Sequence, residues 1–240
     1  MSNDYIFKVW QVFKEVKLIS MSNQGWLTLL QQQRAIAVIR ASEKKLAHQM
    51  ALAVASGGMR LIEITWNTEQ AGELITQLRS ELPGCTIGTG TLLNMDHLQD
   101  AIASGAQFLF TPHIDPILIQ ASVDAGVPIV PGALSPTEIV TAWNAGASCV
   151  KVFPIGAVGG ASYIKSLQGP LGKIPLIPTG GVTRGNAKEF IKAGAIAVGL
   201  AGDLFPPQLV AQGDWEAIAQ QAKTLMQHIL TDVQSKLDNY

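Results

Sequence analysis

Ala145-Gly146-Ala147-Ser148-Cys149-Val150-Lys151-Val152-Phe153-Pro154 contains the end of one structural element and the whole of the next. A small residue followed by glycine suits a helix terminus, because glycine adopts the left-handed conformation that stops an α-helix. Cys149–Phe153 is then a short apolar run of strand type. The same punctuation recurs at Ser56-Gly57, Ser104-Gly105, Ala125-Gly126 and Ala193-Gly194, each just ahead of another apolar run.

Outward from this unit the chain predicts eight strands, at Ile36–Arg40, Leu61–Thr65, Thr86–Thr89, Phe108–Thr111, Pro128–Gly132, Cys149–Phe153, Leu176–Pro178 and Ala197–Leu200. Their starts lie 20 to 27 residues apart, and helical segments such as Glu43–Ser56 and Met95–Ser104 fill the gaps. Strands alternating with helices at this period imply parallel pairing with right-handed crossovers. Eight such units in one domain predict an α/β protein with a single (β/α)8, or TIM, barrel. An open dinucleotide-binding sheet would need a glycine-rich turn after its first strand, where this chain has Arg40-Ala41-Ser42. The tail Asp214–Tyr240 carries Trp215, Ile218, Ala222, Leu225, Met226, Ile229 and Val233 at helical spacing, as expected of a barrel-covering helix.

Of the 240 residues, 48% are hydrophobic and 15% charged, a balance that builds a large core and argues against disorder. A net charge of −1 gives no electrostatic basis for binding nucleic acid or an anionic membrane. No apolar stretch approaches the ~18 residues of a transmembrane helix. Cys85 and Cys149 are too few for a disulfide framework, so reduced thiols and a cytoplasmic location are expected. Met1-Ser2-Asn3 is echoed by Met21-Ser22-Asn23, and the regular pattern begins only after the second methionine. Residues 1–20 are therefore read as an N-terminal extension, either a dispensable leader or sequence ahead of a natural start at Met21, and residues 21–240 as the barrel domain.

Lys151 interrupts an apolar strand. A buried ammonium is costly, so such a lysine either pairs with a carboxylate or loses its proton. Glu63 stands in the same context, in Leu61-Ile62-Glu63-Ile64-Thr65. Two readings follow: a structural Lys151–Glu63 ion pair, or a reaction centre in which an uncharged lysine attacks a carbonyl and forms a Schiff base. Active sites of these barrels form at the C-terminal ends of the strands. Polar residues gather at those ends: Arg40, Glu63, Thr65, Thr89, Thr91, Thr111, His113, Lys151 and Thr179-Gly180-Gly181. Trp66 is expected to pack at the barrel mouth. His48, His97, His113 and His228 show no ligand spacing with carboxylates, so neither a metal nor another cofactor is expected.

Several of these motifs, taken in order, carry a family resemblance. Ala37-Val38-Ile39-Arg40-Ala41, Leu61-Ile62-Glu63-Ile64-Thr65, Gly88-Thr89-Gly90-Thr91, Thr111-Pro112-His113, Pro131-Gly132, Lys151-Val152-Phe153-Pro154 and Pro178-Thr179-Gly180-Gly181-Val182 resemble the 2-keto-3-deoxy-6-phosphogluconate (KDPG) / 4-hydroxy-2-oxoglutarate (KHG) aldolases over about residues 26–206. The resemblance implies a metal-independent class I aldolase that cleaves a small 2-keto-4-hydroxy acid to pyruvate and an aldehyde. It implies Lys151 as the Schiff-base lysine and Glu63 as the general base. It also implies Arg40 and Thr91 as carboxylate or phosphate ligands, Phe153 as a substrate contact and Thr179-Gly180-Gly181 as a phosphate loop. A homotrimer is implied as well. Oxaloacetate decarboxylation through the same imine is an alternative; a phosphate-binding barrel isomerase or synthase is a more distant one.

Two positions depart from the family pattern. Asn67 stands where many members place a carboxylate-binding arginine, and Arg40 is expected to substitute for it. Asp203, in Leu200-Ala201-Gly202-Asp203, follows the last strand where Gly-Ser is common. A carboxylate there is expected to repel a phosphate unless it points away.

Overall fold

The computed structural model describes residues 22–237, with side chains to residue 231. The expectation for residues 1–20 lies outside the described residues. The strands are β1 (Ala35–Ile39), β2 (Leu61–Thr65), β3 (Thr86–Gly90), β4 (Leu109–Phe110), β5 (Ile129–Val130), β6 (Gly132–Ala133), β7 (Val150–Val152), β8 (Leu176–Pro178) and β9 (Val198–Leu200). Ten helices accompany them among the described residues: α1 (Asn23–Gln33), α2 (Lys44–Ser56), α3 (Ala71–Glu81), α4 (Met95–Ala103), α5 (Pro116–Asp124), α6 (Pro136–Asn144), α7 (Ala161–Leu171), α8 (Ala187–Lys192), α9 (Pro207–Gln212) and α10 (Trp215–Leu237). A short 3-10 turn, Ile155–Val158, follows β7.

Every pairing among these strands is parallel, in the orders β5-β4-β3-β2-β1-β9 and β6-β7-β8. The expected fifth strand, Pro128–Gly132, is thus two segments on either side of Pro131. Proline lacks the N–H a central strand must donate, so the ladder breaks at that residue. Ahead of it, Ile129 and Val130 pair with Leu109 and Phe110; beyond it, Gly132 and Ala133 pair with Lys151 and Val152. The Pro131 carbonyl still accepts from the Lys151 backbone N–H at 2.9 Å. Near the other edge, Thr179 forms an isolated parallel bridge with Gly199. The result is an α/β fold on a curled parallel sheet.

Alternation along the strands separates two apolar layers. Ile36, Val38, Leu61, Phe108, Phe110, Val130, Cys149, Ile177 and Ala197 form an inner cluster, while neighbours such as Ala37, Ile39, Ile62 and Ile64 pack outward against the helices. Both faces of β1 and β2 are buried, as parallel strands covered by helices require. In α1, Trp26 and Leu30 lie one turn apart and join the inner cluster, the Trp26 ring stacking on Phe108 at 5.0 Å. Phe108 precedes β4, so α1 plugs the N-terminal ends of the strands. The C-terminal ends are left to the polar residues. The tail helix runs as expected, and α10 buries Ile218, Ala222, Leu225, Met226 and Ile229.

Candidate active site

Glu63 on β2 is 2% exposed and Lys151 on β7 is 7% exposed. Both take the inward positions of their strands, each two residues after a member of the inner cluster, Leu61 and Cys149 respectively. Among the described residues no direct ion pair joins them, so the structural salt bridge is not formed. Burial depresses the Lys151 pKa; the negative charge of Glu63 partly opposes this, and the Arg40 guanidinium adds to it. Burial pushes the Glu63 carboxyl up, with Lys151 and then Arg40 opposing. The Lys151 Nζ lies 4.8 Å from the Phe153 ring centroid and 5.7 Å from that of Phe110. Aromatic rings, not a carboxylate, are its immediate partners; ring faces hold an ammonium less strongly than a carboxylate would, so the lowering by burial prevails.

Arg40 lies just beyond β1 rather than on it, and its side chain is exposed. Its Nη1 donates to Asn67 Oδ1 and its Nη2 to Thr91 Oγ1, both at 3.4 Å. The three residues from three strand ends therefore converge, and Asn67 bonds to Arg40, the residue expected to substitute for the arginine that many family members carry at position 67. Thr91 has φ 64°, a left-handed conformation that is an outlier for a β-branched residue. Such conformations cost of order ~1–3 kcal/mol and cluster at functional sites. Beside Arg40, a cleft of about 340 Å³ runs past Val38, Ala201, Gly202 and Phe205.

The Thr179–Gly181 loop lies against the start of the 3-10 turn. The Ile155 and Gly156 N–H groups donate to the Thr179 and Gly180 carbonyls at 3.0 and 2.8 Å. Gly180 has φ 76°, and a Cβ there would sit 2.9 Å from the Phe153 ring, so only glycine lets loop and ring meet. Among the described residues, the Gly180 and Gly181 N–H groups donate to no protein acceptor. Phe153 thus touches the lysine on one side and the loop on the other. Asp203, expected to repel a phosphate unless it points away, is engaged by a cation: its Oδ2 accepts from the Arg184 backbone N–H at 2.7 Å and from Arg184 Nε at 3.0 Å.

Other expectations need correction or narrowing. Trp66 directly follows β2 and turns to the helix side, near His97, where it lines a cavity of about 430 Å³ with Thr68, Gly72, Asp100 and Ser104. His113 contributes a backbone carbonyl, which accepts from Thr111 Oγ1 at 2.5 Å. Among the described residues no three His, Cys, Asp or Glu side chains gather as metal ligands would.

With this geometry in place, comparison with known proteins is decisive: the family described as KDPG and KHG aldolase matches residues 27–221. This chain belongs to the KDPG and KHG aldolase family. A 2-dehydro-3-deoxy-phosphogluconate aldolase of Treponema pallidum is 32% identical over 198 residues, covering 82% of this chain and 94% of that protein. A KHG/KDPG aldolase of Escherichia coli is 30% identical over 182 residues, covering 75% of this chain and 85% of that one. Among solved structures, a KDPG aldolase from Legionella pneumophila, with pyruvate captured as a covalent carbinolamine, is 26% identical with a TM-score of 0.76, covering 83% of this chain and 97% of that chain.

Within this KDPG and KHG aldolase, two parts of the site escape a reading of the sequence. Gly90 sits inside a recognisable motif, yet only the fold shows that the Glu63 carboxylate occupies the space a Gly90 side chain would need. Arg184 carries no strand or motif signal at all. Its contact with Asp203 joins positions 19 residues apart in sequence.

Proposed function

We propose that this chain is a class I aldolase that cleaves 2-keto-3-deoxy-6-phosphogluconate to pyruvate and glyceraldehyde 3-phosphate, and 4-hydroxy-2-oxoglutarate to pyruvate and glyoxylate. The observation that carries this is a buried lysine that, among the described residues, has no direct ion pair and shares an interior with a buried glutamate in a chain of this family. The neutral Lys151 Nζ attacks the 2-keto carbon to give a carbinolamine, which loses water to a protonated imine. Glu63 takes the proton of the 4-hydroxyl. The C3–C4 bond breaks, its electron pair passes into the imine system, and the aldehyde leaves. Protonation of the resulting enamine at C3 and hydrolysis release pyruvate and restore the lysine.

Arg40, held by Asn67 and Thr91, binds a substrate carboxylate or phosphate. Phe153 packs against the substrate's carbon chain, and the free N–H groups of Gly180 and Gly181, beside Thr179, take the distal anion. In this reading the two sheets are one closed eight-strand barrel, with β5 and β6 as a single strand and the Thr179–Gly199 bridge as the seam. The barrel domain spans residues 21–240 with residues 1–20 as an extension, and the enzyme is a cytoplasmic homotrimer. The division at residue 21 rests on the repeated Met-Ser-Asn, the cytoplasmic location on the two cysteines read as reduced thiols, and the trimer on the family resemblance; light scattering of the full chain tests the trimer. No helix among the described residues is long and apolar enough to cross a membrane.

The deciding experiment pairs borohydride trapping with a coupled assay for pyruvate release. Wild type incubated with pyruvate and borohydride is expected to carry the adduct on Lys151. Lys151→Ala is expected to lose both the adduct and cleavage of KDPG, its C4 epimer and KHG. Wild-type cleavage by Lys151→Ala ends the mechanism. If oxaloacetate is the substrate turned over best, the same imine serves decarboxylation instead.

A further inference from the structure

The contact between Arg184 and Asp203 joins the loop after β8 to the loop after β9, beside the glycines of the anion loop. Asp203 Oδ2 receives both the backbone N–H and the Nε of Arg184. That chelate fixes the root and the plane of the guanidinium together. Among the described residues, neither Nη group has a protein partner. About a third of each side chain is exposed, so the pair is open to solvent and to a ligand.

The rest of the loop is held independently. Asn186 Oδ1 accepts from the Thr183 N–H at 2.7 Å, Thr183 Oγ1 accepts from the Asn186 N–H at 3.2 Å, and Asn186 Nδ2 donates to the Gly181 carbonyl at 3.1 Å. These bonds engage the Thr183 and Asn186 N–H groups and the Gly181 carbonyl, while the Gly180 and Gly181 N–H groups have no acceptor among the described residues. Phe153 stands between this loop and Lys151, so a charge held here belongs to the end of the substrate remote from the reacting carbon.

We propose that Arg184 is a specificity-determining residue that recognises a distal phosphate monoester, and that Asp203 is the residue that positions it. The inference rests on the aldolase reading above and assigns the distal end of the same site. A guanidinium offers its free Nη edge as a fork that matches two phosphate oxygens, which a lysine ammonium cannot do. Asp203 contributes twice, by orienting that fork and by having its own charge cancelled by it. Without Arg184, the Asp203 carboxylate would stand uncompensated near the anion and repel it.

The test uses Arg184→Gln, Arg184→Lys, Asp203→Ala, Asp203→Asn and the double variant Arg184→Gln/Asp203→Asn in the full chain. Inorganic phosphate binding is followed by calorimetry, alongside KM and kcat for KDPG and KHG and the yield of pyruvate trapping. Arg184→Gln is expected to weaken phosphate binding and raise KM for KDPG by about tenfold or more, as for loss of a charge-assisted fork. The KM for KHG and pyruvate trapping should hold. The double variant should recover part of the loss, because the repulsive carboxylate is gone. Asp203→Ala should raise KM for KDPG, and Asp203→Asn, whose amide oxygen still accepts from Arg184, should restore it. If Arg184→Gln does not fold, Arg184→Lys decides, with the same direction of change expected.

Unchanged phosphate binding and KDPG kinetics in the Arg184 variants overturn the proposal. So does an equal rise in KM for both substrates, which marks a structural role. Phosphate binding that depends on Arg184 in a protein that turns over no keto acid would instead overturn the aldolase reading and leave the phosphate site standing.

Discussion

The Glu63 carboxylate fills the space beside Gly90 that any larger residue's Cβ would claim. Thr65, not Glu63, is the strict cross-strand partner of Gly90, so the glutamate reaches diagonally across the face of the sheet toward the C-terminal end of β3. A glycine costs a strand packing and conformational entropy. Here that cost places a carboxylate inside the barrel-like interior without displacing the backbone.

Gly90→Ala is therefore expected to impair catalysis through Glu63. The added methyl meets the carboxylate, and kcat for cleavage should fall by about a hundredfold, the scale of a displaced general base. Pyruvate trapping by borohydride should survive, because Lys151 is untouched. Gly84→Ala is the control: its Cβ would have nothing within 4 Å, and both activity and melting temperature should stay near wild type. Equal kcat values for the two variants would show that the close approach of Glu63 and Gly90 has no catalytic consequence.

Lys151→Met should be inactive and more stable than wild type. The depressed lysine pKa means that the folded protein carries a costly buried ammonium at low pH. Between the depressed value and the ordinary lysine value, the unfolded chain binds a proton that the native chain does not. Stability contributed by this group therefore rises with pH through that window. Methionine removes the penalty, so denaturant melts at neutral pH should show a gain of about 1–3 kcal/mol, narrowing as pH approaches the ordinary lysine value. The raised Glu63 pKa acts oppositely: its contribution falls as pH climbs from the ordinary carboxylate range to the raised value. A Lys151→Met protein less stable than wild type across the whole range would contradict the buried-charge account.

Arg40→Ala should shift the pH dependence of imine formation. Arg40 helps to hold the Lys151 pKa down, so its loss should move the midpoint of pyruvate trapping to higher pH and slow trapping near neutrality. The same loss should raise the pyruvate concentration needed for half-maximal trapping, since the guanidinium held by Asn67 and Thr91 is the proposed carboxylate ligand. Trapping measured from pH 6 to 10 reads both effects separately. A midpoint identical to wild type would leave Arg40 a binding role at most.

Much of this site was legible in the chain itself, and the reasons are local. A lysine at the centre of Cys149–Phe153 and a glutamate at the centre of Leu61–Thr65 violate the apolar pattern around them. Period-two alternation alone then turns both inward with Leu61 and Cys149. The glycine-terminated helices and the regular strand spacing were equally plain. The fifth strand was read as continuous although Pro131 stands within it, because periodicity does not report which neighbour each half of a strand will bond.

What the sequence determined by itself was the alternation of strands and helices, the misfit of Lys151 and Glu63, and the family to which those motifs belong. Tertiary structure alone decided the contacts between residues far apart in the chain. Trp26 closing the interior through Phe108, Arg40 meeting Asn67 and Thr91, and Asp203 turning to Arg184 are all of this kind. The physical reason is that burial patterns are set by a residue's immediate neighbours and leave a periodic trace. Hydrogen bonds and charge compensation depend on which loops the curled sheet brings together, and no spacing in the chain records that.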